Sequence, residues 1–293
     1  MIKFSLLICI YTKENLIYFK QCLDSINNSS VLPNEIVIVK DGPLTEELEK
    51  VISDHKFPDE VCLTIVALPV NVTLGPARAA GVEAAKHEWV AIMDTDDICR
   101  PDRFYKQLQM IKDDPRLGLI GGQIIEFSDD VNEVNNMIDE VITESIKNTV
   151  NESRIRTVPI DHDDIVNFVK KRNPFNHMTV MFRRDAVLAA GNYRLFPLFE
   201  DYDLWTRMIK NGTICANHPD VLVDARVDGN TYGRRRGFKY ISSEWRMQKQ
   251  LKSQSLINTA EFIRNILIRI PVRLLPGRAL AGVYRRFIRD DKK

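Results

Sequence analysis

The chain has 293 residues, 44% of them hydrophobic, with 41 basic and 40 acidic side chains and a net charge of +1. That length suits one large domain or two small ones around a packed core. A near-neutral balance excludes a global field of the kind that gathers polyanions, so no nucleic-acid partner is expected. Cys9, Cys22, Cys62, Cys99 and Cys215 are scattered, odd in number and without a C-x-x-C pair, which fits buried thiols in a reducing compartment rather than a disulfide framework.

In chain order, residues 1–10 carry a single basic side chain and an apolar run too short for a signal peptide or a membrane span, so they read as a first core strand in a cytoplasmic protein. Apolar runs follow at Phe4 to Ile10, Glu35 to Val39 and Val61 to Leu68. Segments of helical spacing such as Leu16, Phe19, Cys22, Leu23 and Ile26 separate them. A fourth run, Trp89 to Met93, follows the helix-like Ala77 to Ala85 and stops at Asp94. This alternation predicts an α/β fold, a mostly parallel, Rossmann-like sheet flanked by helices. Ligands of such sheets sit at the carboxyl ends of the strands. Tyr11-Thr12, Asp41-Gly42 and Asp94-Thr95-Asp96-Asp97 should therefore converge on one crevice.

From about Asp129 to Asp164 the chain is polar and poor in aromatics, and no chemistry is assigned to it. Met178 to Phe182 reads as a strand with His177 at its entrance, followed by a helix from Arg184 to near Gly191 and the acidic stretch from Phe199 to Trp205. Phe262 to Arg289 interleaves aliphatic residues with arginines. Such a basic amphipathic segment suits an anionic membrane surface, or packing on the domain with a solvated basic face, but it cannot span a bilayer.

The richest chemistry lies in Asp94-Thr95-Asp96-Asp97 at the end of a buried strand. Clustered carboxylates repel one another and are best tolerated beside a cation. Mg²⁺ or Mn²⁺ held by one or two carboxylates completes its shell with water and substrate phosphates, which implies a diphosphate ligand. Taken alone, the same residues could be an acidic turn before a helix, Asp41-Gly42 a plain turn, Asp201 a helix cap and Arg78 a surface residue.

The four segments Glu35 to Gly42, Leu74 to Gly81, Ala91 to Asp97 and Phe199 to Trp205 resemble, in order, the signature segments of glycosyltransferase family 2, with the bacterial capsule, exopolysaccharide and O-antigen enzymes the nearest in kind. The resemblance spans roughly residues 4 to 250. It implies a GT-A fold and inverting transfer of a hexose from a nucleotide-sugar, here a UDP-sugar, to a lipid-linked saccharide, with Mn²⁺ or Mg²⁺ as cofactor. Position by position, it implies that Thr12 and Glu14 lie beside the nucleotide, Asp41 bonds the base and Arg78 contacts the base or braces its loop. Asp94 would touch the ribose or donor sugar, Asp96 would hold the metal and Asp201, beside Glu200, would be the catalytic base. Lys40 departs from the acidic residue frequent at that place. Asp228 stands where relatives often carry a histidine of the metal shell, and aspartate is a competent oxygen ligand.

His177, Trp205, Arg234 and Arg235 are further candidates for acceptor or diphosphate contact, although His177 could equally be structural and the run Arg234-Arg235-Arg236 could face lipid or water. Inversion needs one base, whereas retention by double displacement needs a second carboxylate facing the sugar, and Asp203 and Glu200 are nearby candidates. Two other functions compete. A sugar nucleotidyltransferase would carry a glycine-rich phosphate loop that Ile10 to Asn15 lacks, and a noncatalytic membrane-associated scaffold would not require Asp94, Asp96 and Asp201 together. The expected organisation is a transferase domain over residues 1–235 and a helical basic region over 236–293, peripheral on the inner face of the membrane.

Overall fold

The computed structural model describes residues 2–128, 154–227 and 237–274. Helices flank a nine-stranded sheet of order β3-β2-β1-β4-β8-β6-β9-β5, with β7 paired to β6. Its first half, β3 (Cys62–Ala67), β2 (Glu35–Lys40), β1 (Phe4–Ile10) and β4 (Trp89–Met93), is parallel throughout. The second half departs from the mostly parallel expectation. β8 (Met181–Arg183) runs antiparallel to both β4 and β6 (Leu117–Phe127), β9 (Ile214–Arg226) runs parallel to β6, and β5 (Ile98–Cys99) and β7 (Arg154–Arg156) are short antiparallel additions.

Period-2 alternation divides the core between the two faces of the sheet. From β1, Phe4, Leu6, Ile8 and Ile10 pack with Phe19, Leu23 and Phe104 of the helices α1 (Leu16–Asn27) and α4 (Arg103–Asp113). Leu7 points to the other face, with Ala77 and Val82 of α3 (Leu74–Ala84). Both faces of β1, β2 and β4 are thus covered, which is why these strands read as continuous apolar runs. Local signals agree with the element ends. The Asn15 side chain accepts from the amides of Ile17 and Tyr18 to start α1, and Thr45 accepts from Leu48 to start α2 (Glu46–Asp54), whose first turn is acidic.

Past α5 (His162–Val169), residues 177–179 form a 3₁₀ turn rather than the start of the expected strand, and β8 begins only at Met181. The cause is local polar bonding. The Thr179 hydroxyl donates to the Asn176 carbonyl and accepts from the Gly122 amide, giving the backbone an alternative to a ladder. α6 (Arg184–Ala189) ends before Gly191, whose φ of +83° closes the turn into α7 (Glu200–Lys210). Tyr202 and Trp205 of α7 share a core with Tyr240, Met247 and Leu251 of α8 (Phe238–Ser253). The last helix, α9 (Thr259–Leu274), is fastened to α8 by polar bonds, Asn265 to Gln248 and Arg269 to Glu244. Among the described residues, no helix is long and apolar enough to cross a membrane.

Candidate functional site

β1 has β2 on one side and β4 on the other, so connections leave it in opposite directions and a crevice opens at its carboxyl end. Glu14, from the turn after β1, and Asp94 to Asp97, from the turn after β4, meet there. Burial pushes the Glu14 carboxyl up to about 7; a hydrogen bond with Thr95 opposes this, and the negative charges of Asp96 and Asp94 add to it. Thr12 is exposed beside it. Asp41, at the end of β2, is buried and holds the next loop: its carboxylate accepts from the Val72 amide at 2.6 Å and from Asn71 Nδ2 at 3.0 Å. Lys40 turns away to pair with Glu49 at 2.7 Å.

Arg78 is the centre of the arrangement. It is buried on α3, not a surface residue, and donates to Asp94 Oδ1 at 2.9 Å while its other terminal nitrogen lies 3.5 Å from Glu200 Oε1. Burial opposes the charge on Asp94. Burial is the largest single effect, but Arg78 and His177 together outweigh it and hold that carboxyl well below the usual range. Glu200 is raised instead, by burial first and by Asp201 second, with Arg78 opposing. Asp201 Oδ2 accepts from Asn173 Nδ2 at 2.7 Å and its Oδ1 accepts from the Tyr202 amide. Asp201 therefore sits at the amino end of α7, where its charge is also favoured by the helix dipole.

His177 lies between these groups. Its Nε2 meets the Tyr193 hydroxyl at 3.1 Å, and Nδ1 is 3.8 Å from Asp94 Oδ1. Trp205 is fully buried and stacks behind the His177 ring at 6.1 Å, so it lines the core and not the crevice. Asp203 is likewise occupied: it is buried and bound to Arg207 Nε and Nη2 at 3.0 and 2.8 Å. On the far side, Arg226 at the end of β9 stacks on Tyr18 and Phe127. It donates from Nε to the Asp96 carbonyl at 2.9 Å, and its amide donates to Asp97 Oδ1 at 2.8 Å. Burial, then Asp96 and Asp94, raise Asp97 well above the ordinary carboxylate range.

The fold thus gathers Glu14, Asp94, Asp96, Arg78, His177, Glu200 and Asp201 from five separate stretches of chain. Asp228, Arg234 and Arg235 lie outside the described residues. Three positioning residues carried no motif in the sequence. Asn173 and Tyr193 are ordinary loop residues by spacing, and Arg226, two residues before the candidate ligand Asp228, carries no signal of its own as the clamp on the acidic turn.

Among the described residues no cluster of three potential ligands forms a ready metal cage. Mg²⁺ and Mn²⁺ sites completed by substrate phosphates need only one or two carboxylates. Burial raises Glu14 and Asp97 first, and the negative charge of Asp94 and Asp96, which adds to both shifts, fits a hard cation at the acidic turn.

Comparison with known proteins agrees with this geometry. The family model for glycosyl transferase family 2 matches residues 5–186. The amylovoran biosynthesis glycosyltransferase AmsE of Erwinia amylovora is 37% identical, over 97% of this chain and 98% of that protein. An Escherichia coli UDP-Gal:alpha-D-GlcNAc-diphosphoundecaprenol beta-1,3-galactosyltransferase is 32% identical, over 98% and 97% respectively. The chain belongs to glycosyl transferase family 2. Among solved structures, Staphylococcus aureus TarS 1–349 in complex with UDP-GlcNAc has a TM-score of 0.62 at 15% identity, covering 93% of this chain and 72% of that one. The mannosyltransferase PcManGT of Pyrobaculum calidifontis, in complex with GDP-Man and Mn²⁺, gives 0.59 at 15%, covering 97% and 75%. At that identity the likeness is one of fold, and the fold is GT-A.

Proposed function

We propose that this glycosyltransferase moves a hexose from a UDP-sugar onto a lipid-linked saccharide in cell-surface polysaccharide assembly, with inversion at the anomeric carbon. The observation that carries the reading is the Arg78 bridge, 2.9 Å to Asp94 and 3.5 Å to Glu200, which ties the acidic turn of the donor side to the start of α7. Thr12, Glu14 and Asp41 would take the nucleotide, and Asp94 the ribose or sugar. Mn²⁺ or Mg²⁺ held at Asp96, with Asp228 as a second oxygen ligand, would supply neutralisation of the diphosphate charge.

Asp201 is the base in this scheme. Asn173 holds one of its oxygens and α7 orients the other, so it can accept the proton of an acceptor hydroxyl as that oxygen attacks. Double displacement would need a further free carboxylate, but Asp203 is engaged by Arg207 and Glu200 by Arg78, which favours a single direct displacement. The UDP-sugar and the lipid-linked acceptor are carried over from the names of relatives. Peripheral binding to the inner membrane face draws support from α9, where Ile263, Leu267 and Ile268 are exposed beside Arg264. A helical region from residue 236 onward, distinct from the transferase domain of residues 1–235, is part of the same proposal.

The test is donor turnover by purified protein across UDP- and GDP-sugars with Mn²⁺, following released nucleotide. One donor should turn over, Asp96→Ala should abolish it, and Asp201→Asn should lower kcat by about 10²–10⁴. Turnover undiminished in Asp201→Asn would remove Asp201 as the base. Pyrophosphate release from a nucleoside triphosphate would mark a nucleotidyltransferase instead.

A further inference from the structure

Beside Glu200 lies an open cavity of about 230 Å³ bounded by Thr73, Gly75, Leu198, Glu200 and Lys239. It is smaller than the roughly 300–1,000 Å³ that drug-sized ligands occupy, which leaves room for a single sugar-sized group. Its walls are held in costly conformations. Thr73 has φ 73° and ψ 162°, a region almost reserved for glycine, and Leu198 has φ 72°. The two strands of wall touch through Gly75, where a Cβ would lie 2.4 Å from the Arg194 carbonyl oxygen. Backbone strain of about 1–3 kcal/mol per residue persists where surrounding structure enforces it, and it gathers at ligand clamps.

The rim of this cavity is apolar and exposed. Leu74 is 41% exposed, Leu198 46% and Leu195 61%, and Phe238, which precedes the lining residue Lys239 in α8, is 86% exposed. Among the described residues that line the cavity, Lys239 on the first turn of α8 brings a positive charge. An occupant matching this surface has a sugar at the Glu200 end, an anionic group at Lys239 and a hydrocarbon chain beyond. We infer that the cavity and its rim form the subsite for the lipid end of the acceptor: the sugar next to the diphosphate enters the cavity, the diphosphate meets Lys239, and the first isoprenoid units lie on Leu195, Leu198 and Phe238. The inference rests on the proposed lipid-linked acceptor and adds which face of the protein reads the lipid and its charge.

The experiment is calorimetric titration of the full chain, saturated with UDP and Mn²⁺, with farnesyl diphosphate as probe. Wild type should bind it at least about tenfold more tightly than farnesol or inorganic pyrophosphate, since either loses one half of the contact. Lys239→Gln and the pair Leu195→Ser/Phe238→Ser should each weaken binding about tenfold, whereas Lys50→Gln on α2 should not. These positions are exposed, so the variants should fold, and a UDP titration of each checks the donor half. Equal binding by wild type and variants would overturn the subsite and leave the lipid-linked acceptor standing. UDP binding with no farnesyl diphosphate binding in wild type would overturn both. A dimer in sedimentation that dissociates on Leu195→Ser/Phe238→Ser would assign the face to a second copy of the chain and overturn the subsite.

Discussion

Replacing Arg78 by Met tests the bridge directly. The side chain keeps much of its length and loses the charge, leaving Asp94 and Glu200 to face each other without the cation that lies 2.9 and 3.5 Å from them. Removing one partner of a buried pair costs about 3–5 kcal/mol. Asp94 retains 30% of its side-chain exposure, so water compensates part of that loss and the lower end, about 3 kcal/mol, is expected. At about 2 °C per kcal/mol for a chain of this size, melting should fall by about 6 °C at neutral pH. Asp94 has a depressed folded pKa, so its stabilisation is present above its unfolded value near 4 and is lost as pH falls through the folded value. Glu200 is already raised, and its penalty, larger in the variant, appears only above its unfolded value and disappears on acidification. The deficit should therefore be full near pH 7.5, shrink toward about pH 4 as the Glu200 penalty fades, and keep shrinking below pH 4 as the Asp94 stabilisation is lost. Arg78→Lys should rescue little, because one ammonium cannot span both carboxylates as the guanidinium fork does. Scanning calorimetry across pH settles it. Unchanged melting at pH 7.5, or a deficit that does not move with pH, would refute the assignment of Arg78 as the electrostatic link.

Other variants separate roles within the site. Glu14 is raised to about 7, so its penalty develops as pH climbs past its unfolded value and is complete above 7; in EDTA at pH 8, Glu14→Gln should melt above wild type by the equivalent of about 1 kcal/mol after solvent screening, with no difference near pH 4.5. Mn²⁺ with UDP should close that gap in the same melts. Gly75→Ala places its Cβ 2.4 Å from a backbone carbonyl, and urea unfolding should show a loss of about 1–3 kcal/mol. Thr73→Gly should instead raise the urea midpoint, because glycine relieves about 1–3 kcal/mol of strain and loses somewhat less in chain entropy. Asp203→Ala should cost about 3–5 kcal/mol by stranding Arg207, whereas Asp201→Asn should leave melting nearly unchanged and remove turnover.

The first half of the sheet was legible in the sequence because parallel strands buried on both faces are continuous apolar runs, and each ends where a polar residue leaves the sheet: Ile10 before Tyr11, Lys40 before Asp41, Met93 before Asp94. The second half was not. β6 contains Gly118, Gly121 and Gly122, which break a strand pattern, yet each is there because a neighbour crowds it: a Cβ at Gly121 would lie 2.3 Å from Asn217 Oδ1 and one at Gly122 2.4 Å from Leu222 Cδ1. β8 is three residues long and owes its place to β4 and β6 rather than to periodicity. Trp205 shows the same limit from the other side. Its position beside Asp201 and Asp203 marked it as a contact residue, but one helical turn carries Trp205 inward, where it packs against Phe175, His177 and Tyr193.

What the sequence could show as a list of acids, the fold turns into a division of labour. Each carboxylate near the crevice is either committed or displaced from its ordinary charge. Asp41 holds the loop at Val72, Asp97 receives the β9 amide at Arg226, Asp203 belongs to Arg207, and Asp94 shares Arg78 with Glu200. Arg78 and Arg226 do not neutralise the remainder: Glu14 and Asp97 are both driven up, by burial first and then by Asp96 and Asp94 beside them. A nucleoside diphosphate entering this crevice would add negative charge beside Asp94 and Asp96, which is the physical ground for the proposed Mn²⁺ or Mg²⁺. The coupling also runs forward to the acceptor. Because one guanidinium lies against both the acidic turn and Glu200, a donor that met Asp94 as proposed would alter the field at Glu200 and at the proposed base Asp201 with no movement of the backbone.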